Sequence, residues 1–211
     1  MPWGSKYIMG LYENHILPKV INFTCGLKPI RYQRKKVVPH ASGKVLEIGM
    51  GTGLNMPYYT KDSVERIFGL EPNLKSRELA EAPIRDAGIP VDMIGLDGQD
   101  IPLDDNSVDT VVLTYTLCTI PDAERAMREM RRVLKPGGRL LFSEHGKAPD
   151  EAVRKWQDRI NPVWKALAGG CNLNRDIPSL IIAGGFSMEK LDQQYIPGPK
   201  FANYTYWGSA T

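Results

Sequence analysis

A carboxylate and three glycines stand together at the end of a short apolar run. In the segment KVLEIGMGTGLN, Glu47 is followed by a glycine at every second position, namely Gly49, Gly51 and Gly53. Glycine accepts positive φ without strain and lets the backbone pass close to a ligand. Leu54 stands where a dinucleotide-binding loop needs its third glycine, and the segment lacks the GK[ST] of a Walker loop. The loop therefore predicts a different kind of ligand.

The charge of Glu47 indicates which ligand the loop suits. A carboxylate here repels a pyrophosphate and favours a ligand with an ammonium group, such as S-adenosylmethionine. The next apolar run ends in GLEPN, where Glu71 is expected to accept two charge-assisted hydrogen bonds from a ribose diol. The third ends in LDGQD, where Asp97 would accept from an adenine amino group and the backbone of Gly98 and Gln99 would donate to ring nitrogens. For the glycine loop alone, a generic tight turn remains the alternative.

Short apolar runs alternate with helical patterns from Lys44 onward, which is typical of a parallel α/β sheet. The predicted strands are 45–48, 64–70, 91–96, 110–115 and 139–143, the predicted helices are 73–87, 122–135, 149–167 and 177–183, and a closing hairpin is expected over 186–195 and 203–210. Before Lys44, apolar residues recur at helical spacing, interrupted by Pro18. This pattern predicts one or two helices over the sheet's working edge, which is the edge at the carboxyl ends of the strands. Ligands bind beyond the carboxyl ends of strands in such sheets, which is where the glycine loop lies.

Composition and charge exclude several classes of protein. The chain has 211 residues and a net charge of +3, which fits one globular domain and does not indicate nucleic-acid binding. We expect a cytoplasmic protein, because the sequence has no secretory pattern and no apolar run of the ~18 residues that a membrane span needs. The three cysteines, and likewise the three histidines, are dispersed without metal-ligand spacing, so neither a disulfide framework nor a metal site is predicted.

One stretch of the chain is strongly basic. Residues 28–44 carry six lysines and arginines and no acidic residue. A solvated helix face and contact with an anionic lipid surface or substrate both remain open for this stretch.

Residues 44–145 resemble the class I S-adenosylmethionine-dependent methyltransferases, specifically the methyltransferase type 11 group. The motifs that carry the resemblance are VLEIGMGTG, GLEPN, LDGQDIPLDDNSVD and REMRRVLKPGGRLLFSEH. The resemblance implies an α/β fold with a Rossmann-like seven-stranded sheet of order 3-2-1-4-5-7-6, in which strand 7 is antiparallel and helices cover both faces. It implies one domain over 1–211, with a helical cap (1–40), a cofactor core (41–147), a substrate lid (148–185) and the closing hairpin (186–211).

The resemblance also implies the cofactor contacts. S-adenosylmethionine, which leaves as S-adenosylhomocysteine, is expected to contact Glu47, Gly49, Met50, Gly51, Gly53, Asn55, Glu71, Pro72, Asp97, Gly98, Gln99, Thr114 and Leu117. The chain departs from the group at Met50, where cysteine or alanine is common, and at Gly98 and Gln99, where Ala-Glu is common.

The acceptor side resembles a narrower family. The segment GGCNLNRD, together with LCTI and EHG, is similar to the methyltransferase-like 7, or thiol methyltransferase 1, family over most of residues 40–185. That resemblance implies S-methylation of small, often apolar thiols. Animal members begin with a hydrophobic membrane anchor, whereas this chain begins with an amphipathic, partly basic segment, which implies a soluble protein or one in peripheral contact with a membrane.

Two residues are expected to promote ionisation of the acceptor thiol, and four to line its site. His145 and Arg175 are the candidate catalytic groups, with a structural hydrogen bond or a surface ion pair as the alternatives. The candidate acceptor-binding residues are Tyr12, Trp164, Cys171 and Asn172. Core packing is the alternative for the tryptophan and the cysteine.

Two other functions use the same core and stay open at this stage. A phosphatidylethanolamine N-methyltransferase would use the basic, amphipathic N-terminal segment to lie on an anionic membrane. A regulatory module would bind the cofactor without catalysis, although the complete set of cofactor carboxylates argues against it.

Overall fold

The computed structural model describes residues 16–96 and 98–211, which form a seven-stranded sheet flanked by helices. The strands are β1 (Gly43–Ile48), β2 (Val64–Leu70), β3 (Val91–Ile94), β4 (Val108–Thr114), β5 (Leu134–His145), β6 (Met188–Tyr195) and β7 (Tyr204–Ala210). Their order is β3-β2-β1-β4-β5-β7-β6, and β7 pairs antiparallel with both neighbours. The sheet order that the resemblance implies is therefore confirmed.

Six α-helices belong to the described residues. They are α1 (Leu17–Cys25), α2 (Lys28–Val37), α3 (Leu74–Ala87), α4 (Ala123–Val133), α5 (Glu151–Leu167) and α6 (Ile177–Ala183). The predicted capping residue of α4 is confirmed, since the Asp122 side chain accepts a hydrogen bond from the Arg125 amide. Gly88, with φ of 63°, ends α3 in the left-handed conformation that glycine tolerates best.

The core lies on both faces of the central strands. Leu46 and Ile48 of β1 belong to a buried cluster with the inner side of α4 and α6, while Val45 packs in a second cluster on the opposite face. Because successive side chains of a strand point to opposite faces, a strand covered on both faces must be apolar throughout. This explains why the central strands appear in the sequence as continuous apolar runs.

Several predicted strand boundaries are wrong by a few residues. β3 ends at Ile94 and not at Leu96, and β4 begins at Val108 and ends before Tyr115, whose φ is 54°. β5 begins at Leu134, five residues before the prediction, because Leu134 already pairs with Val108 across the sheet. Pro136–Gly138 therefore lies inside a strand instead of separating helix from strand.

The N-terminal region contributes two helices at the working edge, as predicted. Pro18 and Pro29 each lie in the first turn of a helix, where a missing amide hydrogen costs no hydrogen bond. Pro18 thus lies in the first turn of α1. Residues 1–15, which include Tyr12, lie outside the described residues. No helix in the described ranges is both long enough and apolar enough to cross a membrane.

Candidate active site

The glycine loop after β1 depends on the absence of side chains. Gly49, Gly51 and Gly53 have φ of 64°, 58° and 77°, in the region that favours glycine. A Cβ atom on Gly49 would overlap the side chain of Thr116, which follows β4. Among the described residues, a Cβ atom on Gly51 would meet nothing nearer than 3.9 Å, so this glycine faces space that they leave open. The loop therefore packs tightly against the chain that follows β4 on one side and leaves room for a ligand on the other.

Glu71 holds the glycine loop and the start of α3 together. Its Oε2 accepts a hydrogen bond of 2.9 Å from the Gly51 amide, and its Oε1 accepts one of 2.8 Å from the Asn73 amide. Burial raises the pKa of this carboxyl, although both backbone hydrogen bonds act in the other direction. A carboxylate has about four lone-pair sites, so two backbone donors leave capacity for the two hydroxyls of a ribose.

Glu47 is sealed inside the protein. Its two oxygens accept hydrogen bonds from Asn55 Nδ2 at 2.9 Å and from the Tyr59 hydroxyl at 2.7 Å. Burial raises the pKa of Glu47 to about 7. The prediction that this carboxylate faces the ligand's ammonium group stays untested, and the contacts in the structure are with protein groups.

Arg34 of α2 completes this network, and sequence analysis missed it. Its Nη1 donates to Asn55 Oδ1 at 2.8 Å and to Thr114 Oγ1 at 2.6 Å, and its guanidinium lies 5.5 Å from the centroid of the Tyr115 ring. Arg34 is 5% exposed, although it belongs to the basic run 28–44. One signal was available: with Val37 and Gln33, Arg34 falls on the buried face of α2 at helical spacing.

The remaining predicted cofactor residues surround the same edge. Gly98 has φ of 85° and lies against the Ile48 side chain, and Gln99 Oε1 accepts a hydrogen bond from the Asp122 amide. Met50 is buried and Pro72 is exposed. Leu117 is fully buried, and its amide donates to Glu144 Oε1 at 3.2 Å. Asp97 lies outside the described residues.

On the acceptor side, two cysteines and a histidine that are distant in sequence converge. Cys118 follows β4, His145 ends β5, and Cys171 lies in the turn after α5. One sulfur or nitrogen atom from each lies within 4.8 Å of the others, and Cys171 Sγ is 3.3 Å from His145 Nε2. These residues are dispersed in the sequence, and the fold brings them together. The convergence follows from the pairing of β4 with β5 and from a backbone hydrogen bond of 2.9 Å between the Asn172 amide and the Cys118 carbonyl oxygen.

The three side chains of the cluster shift one another's pKa values. The adjacent Cys118 thiol and the neighbouring imidazole lower the pKa of Cys171 against the effect of burial. The Cys118 thiol has a pKa well above its usual value, because of the adjacent Cys171 sulfur and burial. Burial lowers the pKa of His145, but the neighbouring Cys171 outweighs it and raises the pKa overall. The arrangement favours a negative sulfur beside a positive imidazole.

Other predicted acceptor-side residues hold backbone segments in place. Arg175 donates to the carbonyl oxygens of Leu117 and Ile120, so its guanidinium supports the loop after β4. Asn172 Nδ2 donates to the carbonyl oxygens of Cys118 at 2.9 Å and Gly170 at 3.0 Å. These contacts leave the predicted catalytic role of Arg175 and the acceptor-binding role of Asn172 untested. Trp164 packs edge-to-face on Phe201, with 5.9 Å between ring centroids.

A buried glutamine that sequence analysis missed ties the acceptor side together. Gln157 of α5 is fully buried, and its Oε1 accepts from the Ala148 amide at 3.0 Å. Its Nε2 lies within hydrogen-bond distance of the carbonyl oxygens of Gly146, Leu173 and Phe201. No sequence pattern distinguishes Gln157 from a surface glutamine on an amphipathic helix.

The residues present fit S-adenosylmethionine. Gly51 leaves open space beside the loop, and Glu71 retains acceptor capacity at the edge of the same space. Gly98 brings bare backbone to the end of the neighbouring strand, where the sequence predicts the adenine. A bound S-adenosylmethionine would be held by these residues and would supply an electrophilic methyl group.

Comparison with known proteins agrees with this interpretation. A family described as a methyltransferase domain matches residues 46–142. Human thiol S-methyltransferase TMT1B is 33% identical over 172 residues, which cover 79% of this chain and 70% of that protein. Phosphatidylethanolamine N-methyltransferase from Cereibacter sphaeroides is 30% identical over 144 residues, covering 64% of this chain and 70% of that protein.

A solved structure supports the fold. An S-adenosylmethionine-dependent methyltransferase from Leishmania major superposes with a TM-score of 0.68 at 18% identity, and the match covers 95% of this chain and 80% of that chain. At this identity the similarity concerns the fold alone.

Proposed function

Because the chain belongs to the family of S-adenosylmethionine-dependent methyltransferases that includes thiol S-methyltransferase TMT1B, we propose that it methylates small thiols. The observation that carries the proposal is the one-third identity to that enzyme over 79% of this chain. The buried sulfur and imidazole cluster at the ends of β4 and β5 supports it, because an acceptor thiol needs positive charge and little water around its sulfur.

The chain's own residues would act in three ways. Glu71 and the glycine loop would bind and orient the methyl donor, and the Arg34–Asn55–Thr114 network would keep the loop rigid beneath it. His145, whose imidazole is partly buried beside Cys171, would place positive charge near the acceptor sulfur and lower the pKa of the acceptor thiol. Bound S-adenosylmethionine would supply the methyl group, and a water-poor site would favour its transfer to a thiolate because the transfer neutralises both charges.

The first experiment measures methyl transfer from labelled S-adenosylmethionine to a panel of small thiols and, in parallel, to phosphatidylethanolamine vesicles. Methylation of thiols alone is expected. Methylation of the lipid alone would overturn the thiol assignment, and cofactor binding without either product would favour the regulatory module.

A matched pair of variants tests the role of the imidazole. His145→Gln is expected to lower thiol methylation by roughly 100-fold while cofactor affinity stays unchanged. His40→Gln, at an exposed position on the short helix before β1, is the control. Equal rates for the two variants would remove His145 from the mechanism.

The lipid acceptor is the second candidate, and one structural feature favours it besides the 30% identity to the bacterial phospholipid enzyme. The exposed face of α1 and α2 combines Phe23, which is 71% exposed, with the exposed cations Lys28, Arg31 and Lys35. Such a face suits peripheral contact with an anionic membrane. A membrane-associated thiol methyltransferase would use it equally well, because apolar thiols concentrate in lipid.

A further inference from the structure

We propose that Cys118, His145 and Cys171 bind one zinc ion, with an open fourth position that accepts the sulfur of the acceptor thiol. The ion, instead of the His145 imidazole, would then supply the positive charge beside that sulfur. Metal binding stands on the geometry of the three residues alone. The role of the open position rests on the proposed function.

The distances suit a single ion. Zinc–sulfur bonds of about 2.3 Å and zinc–nitrogen bonds of about 2.0–2.1 Å in a tetrahedron place ligand atoms roughly 3.4–3.8 Å apart. Cys171 Sγ and His145 Nε2 are 3.3 Å apart, and all three ligand atoms fall within 4.8 Å. Small side-chain rotations therefore convert the cluster into three corners of a tetrahedron.

The donor set selects the metal. Two thiolates and an imidazole suit zinc and disfavour magnesium and calcium, which prefer oxygen ligands. Three protein ligands with a vacant fourth position is the arrangement of catalytic zinc sites, whereas structural sites have four. Two thiolates would also cancel the charge of the ion, which makes the site tolerable in a buried position.

The scaffold around the three donors is rigid. Asn172 Nδ2 and the Asn172 amide both donate to the Cys118 carbonyl oxygen, which fixes the two cysteine-bearing segments relative to each other. The Tyr115 ring stacks on His145, with 6.3 Å between ring centroids. Among the described residues, His145 Nδ1 has no hydrogen-bond partner, and the ring's other nitrogen, Nε2, already faces Cys171 Sγ.

The cluster lies where an acceptor is needed. Thr116, two residues before Cys118, packs against Gly49 of the cofactor loop. On binding, the S–H bond of the acceptor breaks and its proton passes to solvent. The sulfur lone pair then forms the new C–S bond as the bond between the methyl group and the sulfonium sulfur breaks.

The test uses the reduced, metal-free full-length protein and cobalt(II) as a visible substitute for zinc. One equivalent of cobalt is expected to give a sulfur-to-cobalt charge-transfer band in the near ultraviolet, and one equivalent of zinc is expected to abolish it. Cys25→Ser, the third cysteine, is the matched control and should bind normally. Cys171→Ser and Cys118→Ser should each lower metal affinity by at least about 100-fold.

A second measurement needs no variant. Zinc should protect Cys118 and Cys171 from alkylation, read by peptide mass spectrometry, and should leave Cys25 reactive. Absence of the charge-transfer band in the wild type, or alkylation of all three cysteines regardless of zinc, would overturn the site.

Binding of a thiol at the open position can be measured independently of methylation. In the absence of S-adenosylmethionine, a small thiol should intensify and shift the cobalt band as a third thiolate joins the ion. An unchanged band would overturn the acceptor half of the proposal while the metal site stands. If the band shifts and no thiol is methylated, the proposed function fails and the metal site survives.

Discussion

At the scale of single residues, the two carboxylates at the ends of neighbouring strands have different tasks. Within the described part of the chain, Glu71 accepts hydrogen bonds from backbone amides alone, and it lies beside the open space at Gly51. Glu47 is enclosed by Asn55 and Tyr59 and belongs to the interior. The first is suited to a ligand, and the second holds the loop at the cost of a buried charge.

Substitution of Glu71 is expected to weaken binding of S-adenosylmethionine. Glu71→Gln retains an acceptor oxygen but loses the charge, so affinity should fall by the roughly 1.5–3 kcal/mol of a charged hydrogen bond. Titration calorimetry measures this loss. Glu65→Gln, on an exposed position of β2, is the control and should bind like the wild type. Unchanged affinity in Glu71→Gln would break the ribose assignment.

Glu47 should make stability depend on pH. Its pKa is about 7 in the folded protein and 4.5 in its ordinary state, so the folded protein retains the proton while the unfolded chain has released it. The free energy of unfolding therefore falls as pH rises from about 4.5 to 7, and it levels off above that. Glu47→Gln mimics the protonated form and should match the wild type at pH 4.5.

At pH 8 the same variant should exceed the wild type by up to about 3 kcal/mol, measured by denaturant unfolding at both pH values. Glu144, whose buried carboxyl also has a raised pKa, is present in both proteins and cancels in the comparison. A constant difference across the pH range would show that Glu47 has an ordinary pKa.

The sequence predicts some site residues and not others, for a physical reason. Glu71 follows an apolar strand directly, and the carboxyl ends of parallel strands meet at one edge, so local sequence places it. The positions of Arg34, Cys118 and Cys171 at the site depend on which helix or turn packs against that edge. Residues 34 and 114, or 118 and 171, come together only through tertiary contacts that no local pattern encodes.

At the scale of elements, a buried polar side chain connects α5 to three neighbouring segments of the protein. Gln157 connects the helix to the segment after β5, to the turn after α5 itself and to the loop before β7. Local patterns predicted α5 and α6 nearly to the residue, because amphipathic spacing and caps are local signals. The polar anchor is not local, and the sequence alone does not show it.

Removal of this anchor should destabilise the protein. Gln157→Leu leaves the Ala148 amide and three carbonyl oxygens without their partner in a buried site, at roughly 1–3 kcal/mol for each unsatisfied group. We expect a loss of at least about 3 kcal/mol in the free energy of unfolding, measured with urea. Gln193→Leu, on an exposed position of β6, should stay within about 0.5 kcal/mol of the wild type. Similar stability for both variants would contradict the anchoring role.

At the scale of the whole molecule, one side of the protein is both apolar and basic. α1 exposes Phe23 and Val20, and the end of α5 exposes Val163 and Leu167 at 64% and 63%. The two helices are neighbours, because a Cβ atom on Gly169 would lie 2.7 Å from the side chain of Leu17. The basic run 28–44 is divided by the fold: Arg34 serves the site, whereas its exposed lysines border this apolar side.

This side should bind anionic membranes. Its cations are expected to contribute about 1 kcal/mol each near an anionic surface, and its apolar side chains to insert at the interface. Sedimentation with phosphatidylglycerol vesicles should recover the protein at low salt, and far less with phosphatidylcholine or at high salt. Phe23→Ser should weaken binding, whereas Leu74→Ser, at a residue of similar exposure on α3, should not. Equal binding to both lipids would contradict the role of the cations. Absence of binding, or equal loss in both variants, would mean that this side does not face a membrane and that its exposed side chains serve another contact.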